Sequence, residues 1–446
     1  MKKILLLVLC LAQTLLLQAI DYQVVNTVVS TAYTSYYINY TSVGADAKTP
    51  MTLSGVVTVP NLASLANLDV LVLDCHHTVC DDASVPSSMG STVAGSLALG
   101  GLYPMVCPDY LGYGLTKDQV HPFLCQELLA HQSLDLVSVA VDLLADEKIG
   151  IHPHMLCNIG YSQGGGVAMG VHKLYENDND YARLADTFTL GIHSVCGGGP
   201  YDPLTTGNDF YAKAEHVSFP ALLPLLVNGF LSGADEELKA GAKFDDFFQE
   251  HMLAPTTITD PTTGNPMEYP GLESLIASKL YSNDQASMMM VVANQGKWGL
   301  GDFFSADMMD KESDLYKNFF AWLSANSVCR DWTPKSDITL YHLIEDDIVT
   351  SENTVLAISE LNIPEERQHL IPGSTIGIEG DNTHSQFATS FFVGAVKEIA
   401  TIYHSVTSLN AIETVSSDAP AYDLIGRQVG TGKGFVVKDG RVMFEK

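Results

Sequence analysis

The sequence predicts an α/β domain in which a mostly parallel sheet is covered by helices on both faces. Three observations carry this expectation: short apolar runs too brief for helices, amphipathic helical segments between them, and an alternating β-type stretch ahead of both. From Val24 to Val59, β-branched or aromatic residues alternate with polar ones around a turn at Gly44 to Pro50, which reads as antiparallel strands. The runs Val70 to Leu73, Met105 to Cys107, Met155 to Ile159, Thr189 to Val195 and Ile338 to Tyr341 lack alternation, as strands buried on both faces do. Leu134, Val137, Val141 and Leu144 lie on one helical face. The rhythm breaks over residues 203–330, where helical, apolar and turn-rich pieces such as Phe219 to Leu231 and Met288 to Val292 predict a largely helical insertion. It resumes at Ile338 and runs to a helix beginning near Ser385. A polar linker is expected at residues 407–420 and a small β tail at 421–446.

Composition bounds the function. Lys2 and Lys3, the apolar run from Ile4 to Leu17, and the small Ala19 ahead of Asp21 read as a signal peptide over residues 1–19. That run is shorter than a bilayer span, and no later run is long and uncharged enough to cross a membrane. The expected location is therefore secreted, periplasmic or on the cell surface. A formal charge of −29 argues against nucleic-acid or anionic-lipid partners. Of the 8 cysteines, Cys10 falls in the leader and the others show no regular spacing, although Cys75 and Cys80 flank a loop they could bridge. No metal or other cofactor is expected. His152 and His154 bracket Pro153, but no third ligand stands near them.

The chemistry begins at Gly160-Tyr161-Ser162-Gln163-Gly164, a G-x-S-x-G string directly after a short strand and before the helix-compatible Gly165 to Tyr175. Strand before and helix after make this a turn that presents a serine hydroxyl at the edge of a sheet. A serine needs a base to take its proton, and the base needs an acid to fix its tautomer. His384, after Gly380 to Thr383 and before the last helix of the sheet domain, is the candidate base. Asp346, just past the strand at Ile338, is the candidate acid, with Asp347 and Glu345 left open beside it. Substitution of those two neighbours is expected to alter only a nearby field. The backbone N–H of Gln163 supplies one oxyanion donor, and Thr78 or its predecessor His77 the other.

Taken together these residues resemble the α/β-hydrolase superfamily and, within it, the secretory-lipase-like esterases. The resemblance rests on His76-His77-Thr78, Pro108-Asp109-Tyr110-Leu111-Gly112, His121-Pro122-Phe123, Gly160 to Gly165, Gly199-Pro200-Tyr201-Asp202 and His342 to Val349, and covers about residues 25 to 405. It implies an α/β-hydrolase fold, a lid formed by the insertion, and cleavage of small-molecule or lipid esters. Three positions depart from it: His77 and Leu343 stand where glycine is usual, and Thr350 where proline is. The tail motifs Tyr422-Asp423-Leu424, Gly426 to Val429 and Lys438 to Arg441 are similar to C-terminal sorting tails of the type IX secretion pathway, implying contact with secretion machinery. The leading expectation is a serine ester hydrolase. A serine peptidase of the same fold and a catalytically silent glycan- or lipid-binding protein are the alternatives.

Overall fold

In the computed structural model, the residues described are 20–61, 66–90, 101–213, 222–259, 263–277, 289, 292 and 299–407, together with tail strands within 421–445. The alternating stretch forms three strands, β1 (Tyr22–Val29), β2 (Tyr33–Val43) and β3 (Pro50–Pro60), paired antiparallel. Next come β4 (Val70–Cys75), β5 (Met105–Pro108), β6 (Met155–Tyr161) and β7 (Ile192–Gly197). A small hairpin of β8 (Thr256–Thr259) and β9 (Pro266–Tyr269) lies outside the main sheet, which ends with β10 (Ile338–Leu343) and β11 (Gln368–Ile371). The nine strands run in the order β1-β2-β3-β5-β4-β6-β7-β10-β11, antiparallel as far as β5 and parallel from there.

Every residue of β4 to β7 is buried, because helices cover both faces. The pleat sends neighbours in sequence to opposite sides. Leu71 and Leu73 join the core under α1 (Gln126–Ala145) and α2 (Gln163–Asn177), whereas Val70 and Val72 join the opposite core with Phe387, Phe391 and Ile399. Helix α1 is apolar and long enough to cross a membrane, but most of it is buried within the sheet domain. The strand expected from Thr189 starts at Ile192. Gly191, at φ 79, makes the turn that precedes it.

Between β7 and β10 the chain builds a second apolar core. It is packed from α3 (Pro203–Ala212), α4 (Leu222–Gly233), α5 (Asp314–Ala325) and short helical turns, with Phe230, Phe247, Phe319 and Trp322 at its centre. Phe123 and Leu124 from the sheet domain complete it. Its two ends are pinned together. Asp202 caps α3 through Thr205, and Arg330 donates to the same carboxylate at 3.0 and 3.3 Å. The run at Met288 lies mostly outside the described residues. Two more helices, α6 (Glu352–Leu361) and α7 (Thr383–Thr407), complete the sheet domain. The tail forms a four-stranded antiparallel sheet.

Glu176, near the end of α2, ties that helix to the entry of β10. Its carboxylate accepts the N–H groups of Lys335 and Ser336 and the Ser336 hydroxyl. Burial pushes its pKa up, but the hydrogen bonds and charge of His172 and the other donors outweigh this and lower it from 4.5 to about 2. A depressed carboxylate stabilises the fold above its unfolded pKa and loses that contribution as pH falls through the folded value. Glu176→Gln is therefore expected to be less stable than wild type at pH 6. Denaturant melts should find the gap closing between pH 4.5 and about 2; a gap independent of pH would refute the ionised tie.

Candidate active site

Ser162 occupies the single residue between β6 and α2, at φ 57 and ψ −127. Side chains other than glycine rarely adopt this conformation, so the surroundings must enforce it. Its N–H donates to the Gly197 carbonyl at 2.9 Å, and its carbonyl accepts from Gly165. The flanking glycines are needed for space: a Cβ on Gly160 would strike the Gly164 carbonyl, and one on Gly164 the Cys75 carbonyl. The next side chain is also fixed. Gln163 donates from Nε2 to Nε2 of His121 at 2.7 Å, and His121 donates from Nδ1 to the Leu111 carbonyl at 2.7 Å.

Three residues far apart in sequence meet here. His384 Nε2 lies 2.8 Å from Ser162 Oγ, and its Nδ1 lies 2.6 Å from Oδ2 of Asp346. With Nδ1–H donating to the carboxylate, Nε2 is left to accept the serine proton. Asp346 is buried and its other oxygen accepts the N–H groups of Ile348 and Val349 at 3.0 and 2.8 Å. Burial alone would raise its pKa. The charge and hydrogen bond of His384 and the neighbouring His342 ring outweigh that and hold the carboxyl well below the usual range. His342 accepts from Thr354 at Nδ1 and donates from Nε2 to the Val349 carbonyl, which places Nε2 3.5 Å from Asp346. Tyr161 stacks on the His384 ring and donates its hydroxyl to the His384 carbonyl at 2.6 Å.

The three carboxylates of the acid loop separate cleanly. Only Asp346 reaches the His384 ring. Glu345 turns away to accept the Gly373 N–H at 2.8 Å. Asp347 accepts the backbone N–H groups of Asn382 and His384, both at 3.0 Å. The expectation that Asp347 exerts only a screened field is therefore wrong in kind, since it holds the backbone beside the imidazole.

At the end of β4, the N–H groups of His77 and Thr78 and that of Gln163 find no intramolecular acceptor among the described residues. All three residues line a cavity of about 640 Å³ with Ser162 and His384. Phe123, Leu124, Phe210, Leu226, Val349 and Phe392 supply much of its apolar wall. Asp109 braces this region from behind, accepting from Ser54 and from the Ser87 N–H. The His77 ring is open to solvent at the cavity yet flanked by protein on most sides. That crowding, with His76 and His384 close by, lowers its pKa to about 4, so the imidazole is neutral near pH 7. The other two departures from the resembled motif lie outside the cavity lining: Leu343 is fully buried in the core, and Thr350 donates to Glu352.

Cys75, Cys80, Cys107, Cys125, Cys157, Cys196 and Cys329 are free thiols, so Cys75 and Cys80 do not bridge. No group of three or more metal-ligating side chains occurs among the described residues. His154 instead lies 3.5 Å from Asp69. Tyr161, His121 and His342 stand inside motifs quoted from the sequence and Asp347 is an open candidate for the acid, but sequence reasoning assigns none of the four a supporting role, because their partners are set by the fold.

Sheet order, the strained serine turn, and an acid and a histidine on the loops after the later strands define an α/β-hydrolase fold. Solved structures share it. The rice cell wall degrading esterase LipA from Xanthomonas oryzae matches with a TM-score of 0.61 at 18% identity, over 84% of this chain and 92% of that one. A Legionella pneumophila protein assigned as a hydrolase matches with a TM-score of 0.61 at 17% identity, over 87% and 92%. No family model matches the chain, nor does any curated sequence. At these identities the likeness concerns the fold.

The turn's steric demand is directly testable. Gly164→Ala drives a methyl into the β4 backbone, and overpacking of this kind costs about 1–3 kcal/mol. Chemical denaturation should find a loss of that size; an unchanged midpoint would mean that the turn opens freely.

Proposed function

We propose that the protein is a secreted serine hydrolase that cleaves carboxylic esters through an acyl-enzyme on Ser162. The observation that carries the reading is the unbroken hydrogen-bond chain from Ser162 Oγ through His384 to Asp346. Ser162 Oγ attacks the ester carbonyl as His384 Nε2 takes its proton. The carbonyl oxygen, now negative, is held by the N–H groups of Gln163 and Thr78. Collapse expels the alcohol, which receives the proton from His384, and leaves the acyl group on Ser162. Water, deprotonated in turn by His384, attacks the acyl-enzyme carbonyl; the bond to Ser162 Oγ breaks, His384 returns the proton to that oxygen, and the acid leaves. Asp346 keeps the imidazole in the required tautomer and stabilises the imidazolium.

Substrate choice falls to the cavity and to residues 203–330, which we assign as its lid because Phe210, Leu222 and Leu226 of that segment line it. The mainly apolar wall favours an uncharged acyl or alcohol group, and no Lys or Arg among the described lining residues would attract an anion. Export is supported by the apolar N-terminal run and the similarity of the tail to sorting signals.

Hydrolysis of short p-nitrophenyl esters tests the reading. Ser162→Ala should reduce turnover to background, and Asp346→Asn should lower kcat by about 10⁴, the loss seen when a triad acid is neutralised. Equal rates for wild type and Ser162→Ala would contradict the mechanism. Peptide substrates cleaved in preference to esters would turn it toward the peptidase alternative. His77→Gly removes a ring from the cavity wall and should raise kcat/KM for branched acyl esters relative to acetate; an unchanged ratio would take His77 out of substrate selection.

A further inference from the structure

Helix α7 begins at Thr383, so the residue that carries the imidazole lies in its first turn. The first N–H groups of a helix have no partner inside it and are satisfied from outside, most often by the residue just ahead of the helix. Asn382 holds that position at φ 60, and its side chain makes no hydrogen bond to the helix among the described residues. The acceptor comes from another loop. Asp347 Oδ2 takes the N–H of Asn382 and Oδ1 takes the N–H of His384, each at 3.0 Å. The interlock is reciprocal: the Asp347 N–H donates to Thr383 Oγ1 at 3.2 Å, and the Thr383 hydroxyl donates to the Glu345 carbonyl at 2.7 Å.

We propose that Asp347 is a positioning residue that caps α7 from the acid loop and so sets the distance from His384 to Ser162. Adjacent residues on one loop thus fix the histidine twice: Asp346 holds its ring and Asp347 its backbone. The two grips constrain different freedoms. A ring held only by Asp346 could swing with a fraying helix end, whereas a capped backbone places Nε2 within 2.8 Å of the serine hydroxyl. A carboxylate also suits the positive end of a 25-residue helix, which no other residue of its own first turn supplies.

The kinetic arm of the test rests on the hydrolase reading; the structural arm does not. Asp347→Ala and Asp347→Asn are compared with wild type by peptide-resolved amide hydrogen exchange and by the rate of Ser162 labelling with a fluorophosphonate. Exchange should accelerate within residues 382–386 of the alanine variant and nowhere else. Its labelling should slow by about 10- to 100-fold, the scale of a misplacement near 1 Å. The asparagine variant retains one acceptor and should fall between the two. With p-nitrophenyl esters, kcat should drop while KM holds. Wild-type exchange and labelling in both variants would overturn the proposal, as would faster exchange throughout the chain. If wild type itself takes up no probe, the hydrolase reading fails, and exchange at residues 382–386 alone decides whether Asp347 is the cap.

Discussion

The strained turn at Ser162 is the constraint from which the architecture follows. Holding a serine at φ 57 costs on the order of 1–3 kcal/mol and persists only where the surroundings leave no alternative. Here they leave none. Gly160 and Gly164 give the space in which strand and helix meet, and the Gly197 carbonyl takes the serine N–H from the adjacent strand. Gly165 closes the first turn of α2, and Glu176 anchors that helix at its far end. The turn can be sharp because α2 and one face of the sheet share a single buried core, while a second core packs the sheet's other face.

The parallel sheet then decides what can meet the serine. Strands that run the same way bring their C-terminal loops to one edge, where ligands of open α/β sheets bind. The loop after β4 brings His77 and Thr78, the loop after β10 brings Asp346 and Asp347, and the loop beyond β11 brings His384. None of these depends on closeness in sequence; Ser162 and His384 are 222 positions apart. Precision comes from buried polar groups that each have one partner geometry. His342 supports the loop of Asp346, His121 supports Gln163, and Tyr161 supports the backbone of His384.

What the sequence made legible were the features with a local signature. Short unalternating runs located β4 to β7 and β10 because burial on both faces leaves no polar period. The Gly-x-Ser-x-Gly string located the turn because only glycine fits its flanks. The edge strand β11, four half-buried residues, has no such mark, and was not anticipated. Which carboxylate faces His384 was partly legible by position, but the task of Asp347 was not: its partners are backbone N–H groups, identical in every residue, on a loop 35 positions away. The Asp202–Arg330 pair was hidden for the same reason, since only the folded chain brings the two ends of the insertion together. The expectation that replacing Asp347 would alter only a nearby field failed because its carboxylate accepts the N–H groups of Asn382 and His384.

The central claim is that Ser162 forms a covalent acyl intermediate while His384 shuttles its proton. Acid-quenching the protein within the first turnovers of a p-nitrophenyl ester and mapping the added mass by peptide tests it most directly. The account predicts one acyl group per chain, located on Ser162 and absent when His384 is replaced by alanine. Sustained hydrolysis with no acyl adduct on Ser162, or with the adduct on another residue, would contradict it.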